Sequence, residues 1–239
     1  MKKLVSGIAI CAALCSFSFA NAQETSPVSV APATAEVKTA APASTANPAF
    51  DELLKIAEKC TTNAQYSMNL KAKVGGKDVT SKMKFYFKDM QNYRIDNEVM
   101  GQKTRMVVTP DATWTYMETQ KILMKMSDKS MLEQMNLKAM LEKQRTTSDI
   151  TKTTESGNDV YTIVDKTNKS KSVLTVDPKQ GIYSKAAMYN EKGELASEAT
   201  YNDWKFEPVS EDLFKKPEGA QEMEMPKMPA NTAEGEQKK

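Results

Sequence analysis

The chain has 239 residues, a formal charge of +2, 16 methionines, nine glycines and no histidine. Without histidine there is no His-based triad, no Cys–His nucleophile, no His-ligated zinc and no imidazole acid–base work. Loss of Lys2 and Lys3 with a leader leaves bases and acids in balance, and a neutral chain lacks the clustered cationic charge that nucleic acid or an anionic bilayer would require.

Residues 1–22 have the plan of an export signal. Lys2 and Lys3 make a basic start, 4–19 an apolar run, and Ala20-Asn21-Ala22 a small-residue cleavage site. Neither Cys11 nor Cys15 follows the small residue that bacterial lipoprotein processing needs, so cleavage after Ala22 and a periplasmic location are expected. Cys60 then remains as the single thiol, which cannot form an internal disulfide. Residues 23–48 are rich in Ala, Pro, Thr and Ser and too poor in large apolar groups to offset chain entropy, so they read as a disordered linker.

One domain is expected over 49–219. Asn47 suits an N-cap, Pro48 the first helical position, and Asp51 and Glu52 the first turn. Phe50, Leu53, Leu54, Ala57 and Cys60 follow at helical spacing, which makes Cys60 a buried small hydrophobe. Strands are predicted over 65–74 and 79–87 around a Gly75-Gly76 turn, then over 92–97, 102–109, 113–118 and 121–126. A helix capped by Asp128 is predicted over 129–143. Its apolar residues fall on two sides: Met131, Leu132, Met135 and Ala139 against Leu137, Met140 and Leu141. Such a helix is either sandwiched in the core or acts as a lid. Further strands are predicted over 150–154, 160–165, 172–177, 182–190 and 194–204, with Gly193 at a positive-φ turn position. Residues 220–239 read as a disordered tail. The fold class is mainly β with helices, an α+β chain.

Alternation singles out 85–126. Met83, Phe85 and Phe87 share one strand face, opposite three lysines and a tyrosine. The following strands offer Tyr93 and Ile95, Met106 and Val108, Trp114 and Tyr116, then Met124 and Met126. Together with Met131 and Met135 of the helix, these are the candidate ligand-binding residues of one soft apolar face. Thioethers are flexible and polarisable and suit varied apolar ligands, although methionine also fills irregular cores. Arg94, between Tyr93 and Ile95, belongs to the same candidate set: it points away from them in a regular strand, while a twist or bulge that turned it inward would let its donors hold backbone carbonyls of a covering helix. A Met-based Cu(I) site at Met223, Met225 and Met228 is an alternative, since soft thioethers select that ion. No nucleophile elbow, phosphate-cradling loop or calcium loop is present. The expectation is a non-enzyme without cofactor or resident metal.

Three segments resemble the bacterial outer-membrane lipoprotein carriers (LolA/LolB-like) and related envelope sigma-factor regulators. Lys88-Asp89-Met90-Gln91-Asn92-Tyr93-Arg94-Ile95 is similar to the family's turn into an aromatic–Arg pair. Pro110-Asp111-Ala112-Thr113-Trp114-Thr115-Tyr116 is similar to its D-G-x-x-x-W-x-Y segment. Asn202-Asp203-Trp204-Lys205, followed by Asp212-Leu213-Phe214 and Pro217-Glu218-Gly219, is similar to its closing pattern. The resemblance implies a single curved antiparallel sheet forming an incomplete β-barrel covered by helices, with an apolar interior for acyl chains. It also implies that Arg94 pins the helical lid. Expected partners are lipid or lipoprotein acyl chains and envelope proteins of the inner or outer membrane, with no nucleic acid, for a chain acting as a monomer.

Overall fold

The computed structural model describes residues 47–126 and 137–224. The leader, nearly all of the linker, Asp128, Met131, Met135, Met225 and Met228 lie outside them. Helix α1, Pro48–Cys60, starts as its sequence dictates: the Asn47 side-chain oxygen accepts the Phe50 amide at 3.2 Å. Twelve strands follow: β1 Ala64–Val74, β2 Lys77–Phe87, β3 Tyr93–Val99, β4 Gln102–Val108, β5 Thr113–Met117 and β6 Ile122–Met126. After helix α2, Leu137–Thr147, come β7 Ser148–Glu155, β8 Asn158–Asp165, β9 Lys171–Asp177, β10 Ile182–Tyr189 and β11 Leu195–Phe206. A 3-10 turn, Glu211–Phe214, and β12, Gln221–Glu224, complete the described chain.

The strands form a single sheet in the order β12-β6-β5-β4-β3-β2-β1-β11-β10-β9-β8-β7. Strands β2 to β6 pair antiparallel in succession, and so do β7 to β11. β12 joins β6 in parallel, and since β12 and β7 stand at the two ends of the order the sheet is open. This pairing corrects the expectation of an unstructured tail from 220. Residues 221–224 carry little apolar pattern, but backbone groups can join an edge without one. α2 runs on to Thr147, past its expected end at 143.

Contacts divide the chain into two compact units. The first takes the chain through Cys60 together with Leu70–Val79 and Leu141–Thr200. In it, α1 buries Phe50, Leu53, Ala57 and Cys60 and packs against β7 and β10. Burying a side chain such as Phe50 or Leu53 stabilises by about 1.5–3 kcal/mol. Arg145 ties the end of α2 to the start of α1, donating to Asp51 at 2.8 Å with its guanidinium 4.5 Å from the Phe50 ring centroid. Lys152 bridges Glu52 and Asp159 at 2.6 and 2.9 Å, and its pKa is raised first by the Glu52 hydrogen bond and then by that to Asp159. Burial pushes the neighbouring Tyr161 phenol up to about 12.

The second unit takes Thr61–Asn69, Thr80–Met140 and the chain from Tyr201. It holds every described residue of the candidate ligand-binding set.

Candidate functional site

Register decides which side chains meet in the second unit. Phe87, Phe85 and Met83 pair with Tyr93, Ile95 and Asn97. Tyr93 and Ile95 pair in turn with Val108 and Met106, Met106 with Thr115, and Thr115 with Met124. Paired residues point the same way, so Met83, Phe85, Phe87, Tyr93, Ile95, Met106, Val108 and Met124 share one face. Met126, the partner of Thr113, occupies a register position on that face. Beneath the apolar groups, Ser81 donates a buried hydrogen bond to Asn97.

This face is closed at its centre. Phe85, Phe87 and Tyr93 are fully buried, and Met83 and Ile95 nearly so. One cross-strand row is buried at one end and exposed at the other. Phe85 and Ile95 are buried, Met106, Thr115 and Met124 are half-buried, and Met223 of β12, beside Met124, is 49% exposed. Among the described residues, the buried Thr113 hydroxyl on this face has no hydrogen-bond partner.

Four aromatic residues outside the candidate set extend the face on its other side. Tyr66 stacks on Phe85 at 4.7 Å, on Trp204 at 4.1 Å and, tilted, against Tyr201 at 5.8 Å; Trp204 stacks on Phe206 at 5.9 Å. The Tyr66, Met68, Leu70 alternation was visible in sequence. Trp204 was not, because Asp203 interrupts the period of two.

Trp114 and Tyr116 are a correction. They do not join the Met106 face, because Trp114 pairs with Val107 and Tyr116 with Arg105. The reason is the turn over 109–112. The Thr109 amide and hydroxyl both donate to the Ala112 carbonyl, at 2.9 Å each, which sets Val108 opposite Thr113. That parity sends Thr113 and Thr115 to the aromatic face. Trp114 packs with Val107 and Leu123, joined by Tyr116, Phe214 and Ala220, on the far side.

Arg94 also stands on the far side. Its guanidinium clasps the Asp96 carboxylate at 2.8 and 2.5 Å, donates to the Leu213 carbonyl at 3.2 Å and lies 5.2 Å from the Tyr86 ring centroid. Among the described residues, the backbone that Arg94 holds is that of the 3-10 turn Glu211–Phe214. Asp96 also accepts from Arg105 at 3.3 Å. Here Lys84, Asp96, Arg105 and Tyr116 form one cross-strand row and Lys82, Glu98 and Lys103 another. Both line a cavity of about 740 Å³ whose margin carries Ser67, Glu118 and Asp203. Its alternating charges suit a polar or mixed-charge ligand and offer no continuous apolar surface.

No protein-family model matches the sequence, and no curated protein matches it significantly. Solved structures do. An uncharacterized conserved protein from Thermus thermophilus is 11% identical over 75% of this chain and 100% of its own, with a TM-score of 0.52. That likeness shows a shared fold. A chain of the MucA/MucB complex of Pseudomonas aeruginosa is 14% identical, over 72% of this chain and 62% of its own, at a TM-score of 0.47. This chain therefore spans less than two thirds of that one. LolA superfamily protein NE2245 from Nitrosomonas europaea is 14% identical over 70% of this chain and 97% of its own, at a TM-score of 0.36. The chain is similar in structure, at low identity, to LolA-superfamily and MucB chains.

Proposed function

We propose that this protein is an exported, non-enzymatic periplasmic carrier or sensor that binds acyl chains of lipids or lipoproteins on the aromatic and thioether face of β1–β6, the sheet closing around them as an incomplete barrel. The graded row from Phe85 through Ile95, Met106, Thr115 and Met124 to Met223 carries the reading. Its buried end carries the rigid Phe85 ring, stacked on Tyr66, and its open end the flexible thioethers of Met106, Met124 and Met223, which can mould to a mobile chain. Each methylene taken from water contributes about 0.8 kcal/mol, so even partial enclosure gives useful affinity. Binding requires the groups covering Phe85 and Ile95 to move aside, and the Thr113 hydroxyl can then donate a hydrogen bond to the carbonyl of an acyl ester. The resemblance of 88–95, 110–116 and 202–219 to the lipoprotein carriers supports the same ligand class, and delivery of lipoproteins to the outer membrane is the role it suggests.

Native mass spectrometry of the protein as purified, followed by extraction of bound material, tests this. Co-purified lipid or acylated peptide is expected. A lipid-free protein that stays soluble and rejects fluorescent fatty acids overturns the reading. A second reading, an envelope protein-interaction or stress-signalling module, is favoured by the charged cavity on the far face. Its partner would bind in a strongly salt-dependent way, whereas acyl binding would tighten slightly with salt.

A further inference from the structure

The aromatic end of the same face holds a feature that alternation does not explain. Tyr201 and Trp204 are three residues apart, so a regular strand would send them to opposite faces. Both rings nevertheless pack against Tyr66, at 5.8 and 4.1 Å. Asp203 supplies the difference. Its φ is +56, a left-handed conformation that is strained for a non-glycine residue. It takes up one residue within β11 in the manner of a β-bulge, a device that re-aims the side chains beyond it. The Ser67 hydroxyl donates to the Asp203 carboxylate and fixes the irregularity from β1. The outcome is a half-buried indole set over Tyr66, where the aromatic ladder leaves the fully buried Phe85 and meets the 47% exposed Phe206.

We propose that Trp204 is the end-stop of the acyl site and sets the chain length it accepts. This rests on the acyl-carrier reading. A chain entering over Met124 and running along the row crosses five strand spacings to reach Tyr66, about 24 Å. There the indole, stacked on Tyr66 with ring planes 29° apart and backed by Phe206 at 11°, closes the path. A wall of stacked rings resists displacement where the thioethers at the opposite end would yield. The strained Asp203 conformation is retained because without it the indole would face the charged cavity.

The chain has two tryptophans, and register separates them: Trp114 lies on the far face and Trp204 on the acyl face. In the delipidated full chain carrying Trp114→Phe, a fatty acid brominated at its terminal carbon should quench the remaining Trp204 emission by half or more. In Trp204→Phe, the same probe should leave Trp114 emission unchanged. Affinity across saturated fatty acids of 12 to 20 carbons should rise about fourfold per methylene and then level off in the native chain. In Trp204→Ala the rise should continue to longer chains, with Trp204→Phe intermediate. Asp203→Val, which disfavours the positive φ and restores regular alternation with the indole on the opposite face, should reproduce the Trp204→Ala profile. If no fatty acid of any length binds the native chain, the carrier reading fails and the end-stop with it. If fatty acids bind but Trp204 is not quenched, or the plateau does not move in Trp204→Ala, the end-stop is overturned and the carrier reading stands.

Discussion

The two faces of β2–β6 are built from adjacent residues of the same strands, yet they differ in almost every respect. One packs Phe85, Phe87, Tyr93 and Ile95 into a surface with almost no exposure; the other sets Lys84, Asp96 and Arg105 around an open cavity. The contrast teaches that a sheet can hold its structural core and an open polar site back to back, with strand parity alone assigning each side chain. Stability should then reside on the aromatic side and in the Trp114 cluster behind it, and variation at the exposed charges of the cavity should leave the fold intact.

Phe85→Ala against Lys84→Ala is the sharpest way to break that division. The first removes a fully buried ring and should cost about 3–5 kcal/mol. The second should stay within about 0.5 kcal/mol. Urea unfolding reads both, and similar losses for the two would mean that the faces are not energetically distinct.

Arg94→Leu tests the strongest polar link on the charged side. It removes a paired hydrogen bond to Asp96, whose side chain is 28% exposed, and the bond to Leu213. A loss of about 1–3 kcal/mol is expected, with faster amide exchange over 211–215. The off-rate of a bound fatty acid should not change, because Arg94 lies behind the sheet from it. A faster off-rate would restore Arg94 to the acyl site.

The smallest effect concerns pH. The carboxyl of Glu222 is held below its ordinary 4.5 by its hydrogen bond and charge attraction to Lys216, and then by Lys125. The ionised form therefore favours the docked β12 above that ordinary value, and the contribution is lost as pH falls through the lowered one. Hydrogen exchange over 221–224 should accelerate in that acid window, after correction for intrinsic rates, while β3 stays protected. Glu222→Gln should abolish the pH dependence; an unchanged profile would remove this ion pair from β12 docking.

Much of this architecture was legible in the chain. Asn47 and Pro48 announced α1, and alternation located eleven strands to within a few residues. The apolar face of β2 and β3 followed directly from Met83, Phe85, Phe87, Tyr93 and Ile95. What alternation could not supply was parity between strands. The side of Trp114 depends on how the 109–112 turn closes, and composition does not record that. Trp204 was hidden for a related reason, since one residue at positive φ reverses the pattern after it. β12 was hidden because its pairing uses backbone groups that every residue carries.

That last strand has a practical bearing. A bare sheet edge is a template on which another copy of the chain can extend the ladder, and proteins blunt such edges with short strands and charges. β12 does both for β6: it is four residues long, and it carries Glu222 and Glu224 on its exposed surface. Shortening the chain at Gly219 would therefore do more than remove tail methionines. It would uncover the amides and carbonyls of β6 beside a methionine-rich strip, and the shortened protein should aggregate through strand addition where the full chain stays dispersed.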